Sequence, residues 1–175
     1  MVNIRLAVFV DNDALFRGLH ETDGSWKYDY KKLKDFLVLQ RQQSLVVLRI
    51  YCGEVRDDPP RRRKFYDVLR RVGYEVVTSY QDKSRAPNAA FDSLGTEKLH
   101  VLIAFDLVDL WHQRHYNRLV LVADGDCLLK PVKELRQRGV ACELVYFPDK
   151  SSSRLIQCAN QFRPLKAHGL GLDEV

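Results

Sequence analysis

Two stretches decide how this chain is read: Leu6-Ala7-Val8-Phe9-Val10-Asp11-Asn12-Asp13 and Leu119-Val120-Leu121-Val122-Ala123-Asp124-Gly125-Asp126. Each is a short apolar run that stops at carboxylates. An unbroken apolar run of this length is the pattern of a strand covered on both faces, as in a parallel sheet. Such sheets bind ligands just beyond the carboxyl ends of their strands. Acids from two strands that meet there repel one another unless a cation or protons neutralise them. The pattern therefore predicts a metal site.

Outward from these runs, strand and helix patterns alternate. A loop containing Gly18 and Gly24 is expected after the first strand, then a helix over 29–43 and a strand from Leu45 to Cys52. Asp57-Asp58-Pro59-Pro60 reads as a helix start, and Gly73 as the end of that helix. A strand from Tyr74 to Ser79 precedes a polar stretch from Gln81 to Thr96, whose length suggests a functional flap or simply a mobile loop. A helix over 97–114 leads to the second acidic strand. Helix 127–138 then closes at Gly139, a strand runs from Val140 to Phe147, and a last helix runs from Ser151-Ser152-Ser153 through Phe162. This is an α/β chain, and its five strands predict a doubly wound five-stranded parallel sheet in one domain over residues 1–165, with a flexible tail over 166–175.

Composition bounds the function. The apolar runs are too short to span a bilayer, and the N-terminus lacks the basic then apolar pattern of a secretory signal, so a cytoplasmic protein is expected, with no membrane partner. Cys52, Cys127, Cys142 and Cys158 show no paired spacing and read as reduced core or near-core residues. The excess of 28 Lys+Arg over 23 Asp+Glu leaves +5. It is concentrated at Arg61-Arg62-Arg63-Lys64, Arg70-Arg71, and Arg136 with Arg138. That fits a polyanion gripped by its backbone, though charge runs also form ordinary solvated helix faces. Ser151 to Ser153 read as a helix cap, and no glycine-rich phosphate loop follows the first strand.

Within helix 97–114, Asp106 sits amid apolar neighbours, where a carboxylate needs a partner. Turned toward the strand ends, it would join Asp11, Asp124 and Asp126 around a hard cation such as Mg²⁺ or Mn²⁺. Asn12, Asp13 and His100 stand at the edge of the same constellation. An imidazole ligand would tilt the site toward Mn²⁺ or a softer metal.

Several stretches together resemble the NYN domain family, in particular its LabA-like branch among the PIN-like nucleases: AVFVDNDALFRG (7–18), YDYKKLKDFL (28–37), VLRRVGYEV (68–76), EKLHVLIAFDLVDL (97–110), LVLVADGDC (119–127) and SSRLIQCANQF (152–162). The resemblance spans about residues 5 to 165. It implies a PIN-like three-layer sandwich, an acidic centre that binds Mg²⁺ or Mn²⁺, and ribonuclease activity. Asp11, Asp106, Asp124 and Asp126 would be catalytic metal ligands. Arg17, Arg61, Arg62, Arg63, Lys64, Lys83 and Arg85 would grip the backbone of single-stranded RNA.

The chain also departs from the family pattern. Ala14 stands where an Asn is usual, Glu97 and His100 replace a Lys and an Asp, Asn160 replaces an Asp, and Asp124-Gly125-Asp126 fits the strand-four motif only with a one-residue shift. Two readings follow: a metal-dependent ribonuclease, or a catalytically degenerate NYN-like module that binds RNA or a protein partner. A homodimer is compatible with both.

Overall fold

A computed structural model of the chain describes residues 3–23, 28–38, 43–55, 60–81 and 93–166. Six parallel strands form one sheet: β1 (Ile4–Asp11), β2 (Gln43–Val55), β3 (Glu75–Gln81), β4 (Arg118–Val122), β5 (Ala141–Tyr146) and β6 (Gln161–Pro164). Their spatial order is β3-β2-β1-β4-β5-β6. The helices are α1 (Asn12–Asp23), α2 (Tyr30–Leu37), α3 (Pro60–Val72), α4 (Ser93–Arg114), α5 (Leu129–Gln137) and α6 (Ser153–Cys158).

The two runs quoted first are the central strands β1 and β4, paired from Leu6 against Arg118 to Val10 against Val122. Their unbroken apolar character has a direct cause, because alternate residues enter two different cores. Leu6, Val8, Val10, Val120 and Val122 pack with α1, α2 and α3, whereas Ala7, Phe9, Leu119, Leu121 and Ala123 pack with α4, α5 and α6. Successive side chains on a strand point to opposite faces, so a strand covered twice cannot alternate in polarity.

Three local readings change. The segment after β1 is a helix rather than a loop. Gly18 suggested a break, but it lies inside α1, and glycine stands there because a Cβ would meet the Phe147 ring at 2.4 Å and the Tyr146 hydroxyl at 2.9 Å. The expected last helix is split into α6 and a sixth strand. Asn160 ends it: its N–H donates to the Cys142 carbonyl (2.8 Å), and its side-chain oxygen accepts from the Cys142 N–H (2.9 Å). The chain then pairs along β5 from Glu143 against Gln161 to Tyr146 against Pro164. Finally, α2 is short, capped by Asp29, whose carboxylate accepts from the N–H groups of Lys31 and Lys32.

Other local signals hold. Gly73 and Gly139 follow α3 and α5 with φ of +105° and +84°, and Ser152 caps α6 by accepting from the Leu155 N–H. Among the described residues, no helix is long and apolar enough to cross a membrane. Of the loop expected over Gln81 to Thr96, Gln81 ends β3 and 93–96 open α4, so the helix starts four residues earlier than expected; 82–92, and 167–175 of the tail, lie outside the described residues.

Candidate metal centre at the carboxyl edge of the sheet

The chain after β1 turns to one side of the sheet and the chain after β4 to the other, so a crevice opens between their carboxyl ends. Asp11 is the last residue of β1 and Asp124 lies just past β4. His100 enters from α4, whose Leu99, Ile103 and Leu107 fix the helix against the sheet. Ligand atoms of Asp11, His100 and Asp124 all lie within 4.8 Å of one another.

Each member is held by a different element. The Asp11 side chain is fully buried. One of its oxygens, Oδ1, accepts from the Ala14 N–H at 2.9 Å and so caps α1. Asp124 Oδ2 receives the Arg17 guanidinium at 2.9 Å and the Tyr146 hydroxyl at 3.4 Å. The single Tyr146 hydroxyl proton is directed to the nearer acceptor, the Ala14 carbonyl at 2.7 Å, so its contact with Asp124 is the weaker one. The His100 ring lies against Gly125, where a Cβ would meet Cε1 at 2.5 Å and Nδ1 at 2.7 Å. Only glycine lets the ring approach this backbone.

The inward atoms are left poorly satisfied. His100 Nε2 stands 3.0 Å from Asp11 Oδ2 and 3.8 Å from Asp124 Oδ1, and beyond this ion-pair contact neither Nε2 nor Asp11 Oδ2, both buried, has another hydrogen-bond partner among the described residues. Adjacent donors around an octahedral ion with bonds of about 2.1 Å lie about 3 Å apart. The residues present fit a divalent cation. Burial by itself would lower the pKa of His100, but the Asp11 carboxylate and then Cys127 outweigh it and raise it to about 10. Cys127 is therefore part of the site's edge. It is exposed while Cys52, Cys142 and Cys158 are buried, so the core reading fits those three and not Cys127.

The expected four-acid cluster is rearranged. Asp106 does not join it: six residues beyond His100 is about 9 Å along the helix axis and a different face. There it accepts from Arg49 Nη1 and the Tyr51 hydroxyl of β2, each at 2.7 Å. Asp126 opens a short 3-10 turn facing outward, bound by the Ser152 hydroxyl and by Arg154 at 3.3 Å. Asp13 accepts from the Gly53 N–H, and Asn12 from the Tyr30 hydroxyl at 2.7 Å. His100, standing where the family pattern has an acid, supplies the third donor. The signal that finds it in the sequence is its motif position, four residues after Thr96 and three after Glu97, rather than its residue type.

Of the expected backbone-gripping residues, Arg17 is at the site but engaged by Asp124. Arg62 donates to the Gly53 carbonyl near the carboxyl end of β2, and Arg63 and Lys64 are exposed on α3. The Arg61 side chain, Lys83 and Arg85 lie outside the described residues.

Fold and site together define a parallel α/β domain with an acid-and-imidazole cluster at the topological switch point. The chain belongs to the NYN domain family, whose profile matches residues 5–166. A solved structure of a protein of unknown function from Vibrio parahaemolyticus is similar in fold, with a TM-score of 0.74 and 23% identity over 94% of each chain. No curated protein matches the sequence.

Proposed function

We propose that this protein is a metal-dependent ribonuclease of the LabA-like, PIN-like kind, hydrolysing single-stranded RNA in the cytoplasm. The observation that carries the reading is the convergence of Asp11, Asp124 and His100, whose ligand atoms all lie within 4.8 Å of one another. Two carboxylates and an imidazole suit Mn²⁺ better than Mg²⁺, because nitrogen donors favour the softer ion. A divalent cation there supplies Lewis acidity, which acidifies water and offsets phosphate charge. Arg17 orients Asp124 through the 2.9 Å ion pair. Gly125 keeps the His100 ring seated.

One observation favours the degenerate alternative, a module that binds RNA or a protein partner. His100 and Arg17 already bring two cationic groups to the two carboxylates, so the acids are neutralised without metal. Cleavage of a labelled single-stranded RNA with Mn²⁺, Mg²⁺ or EDTA separates the readings. Hydrolysis should need the metal and fall by orders of magnitude in Asp11→Asn and Asp124→Asn. RNA binding without cleavage under every metal condition would establish the degenerate reading instead.

A further inference from the structure

On the face of the sheet that carries α4, a groove runs between α5 and α6, outside the acidic pocket. One part, of about 360 Å³, is lined by Lys130, Lys133, Glu134, Gln137 and Arg154 with Leu129. A second part, of about 300 Å³, shares Lys133 and Arg154 and adds Arg136 and Gln157. The floor is fixed, because Arg136 Nη1 donates to the Cys158 carbonyl at 2.5 Å and ties the two helices together. Its charge is predominantly basic, with Glu134 as the one lining carboxylate. Glu134 is bound by Arg138 at 2.7 Å, and among the described residues Lys130 and Lys133 have no carboxylate partner. Arg154 is 72% exposed, held to Asp126 at 3.3 Å. Asp126 is separated from Asp124 only by Gly125, so the groove opens beside the metal pocket.

We propose that this groove is the backbone track for single-stranded RNA leading to the Asp11–Asp124 pocket, with Lys130 and Lys133 neutralising phosphates and Arg154 exchanging Asp126 for a phosphate oxygen. This places the grip on the face opposite α3, whose Tyr66 and Leu69 pack into the other core. The inference rests on the RNA reading above. Polyanion binding releases counterions, so each phosphate contact on a single strand adds about 0.7 to the salt slope of log K. Replacing both lysines should remove about 1.4 from that slope.

The test is fluorescence anisotropy of a labelled oligouridylate across a salt series, comparing wild type, Lys130→Ala/Lys133→Ala, and Arg70→Ala/Arg71→Ala, which removes the same charge from α3. Binding of Mn²⁺, read from the melting temperature, checks that each variant keeps its fold and pocket. The groove variant should lose affinity and slope while the α3 variant stays near wild type. If wild type binds RNA and the two variants behave alike, the track is wrong and the RNA reading stands. If wild type binds no RNA at any salt, both are overturned.

Discussion

Asp11 performs two tasks with two oxygens. Oδ1 caps α1 through the Ala14 N–H, and Oδ2 faces His100. Asp11→Asn keeps the capping acceptor and removes the charge, whereas Asp11→Ala removes both. In EDTA, urea denaturation should find the Ala variant less stable than the Asn variant by about 1 kcal/mol, the typical cost of losing a cap. His100 gives the pH dependence. Its pKa is raised from 6.5 to about 10, with burial opposing the shift and the Asp11 and Cys127 contacts outweighing it. A folded value above the unfolded one means that protonated His100 stabilises the fold. That contribution is complete below about pH 6.5 and is lost as the pH rises through about 10. The metal-free melting temperature should show this decline over that window, and His100→Gln should flatten it. Metal binding requires a neutral ring, so Mn²⁺ affinity should rise with pH over the same range. Gly125→Ala places a methyl 2.5 Å from the ring. It should weaken Mn²⁺ binding tenfold or more, as loss of a supporting neighbour commonly does; calorimetry showing wild-type affinity would mean the ring yields without cost.

At the scale of elements, α1 shows how a packing constraint overrides a local propensity. Glycine inside a helix usually costs about 1 kcal/mol relative to alanine, so Gly18→Ala would stabilise an isolated α1. Here the added carbon would lie 2.4 Å from the Phe147 ring. Overpacking costs about 1–3 kcal/mol, and the sign should reverse: denaturant titration should show a destabilised variant, and a stabilised one would mean that Phe147 can move aside. The same packing explains why α1 escapes a reading of the sequence. Gly18 signals a turn when its partner, 129 residues away in the chain, is unseen. The end of α6 escapes it for a related reason, since Leu155, Ile156, Ala159 and Phe162 have near-helical spacing, and what breaks the helix is the bonding of Asn160 to Cys142 of β5. By contrast, the ends of α3 and α5 are legible, because Gly73 and Gly139 adopt positive φ for reasons local to the chain.

For the whole molecule, the switch between β1 and β4 gathers groups from three distant segments, so the site exists only in the folded state. Mn²⁺ should therefore stabilise the protein by mass action, by about 2.7 kcal/mol at a hundredfold excess over the dissociation constant. Differential scanning fluorimetry should show the melting temperature climbing with Mn²⁺ in wild type and no longer in Asp11→Asn/Asp124→Asn; an equal shift in both would remove the pocket as the binding site. What the sequence determined by itself was the parallel α/β class, the burial of β1 and β4 on both faces, and the placement of Asp11 and Asp124 at strand ends. These follow from short-range patterns, because strand periodicity and the position of an acid after an apolar run need no knowledge of distant contacts. Tertiary structure decided which third residue completes the pocket. Asp106 and His100 share one helix and a similar surround in sequence, but the rotation of α4 against β2 hands Asp106 to Arg49 and Tyr51 and leaves His100 facing the two acids. That rotation is set by the packing of Leu99, Ile103 and Leu107 into a core built from β1, β2, β4, β5, α5 and α6, and no local pattern records it.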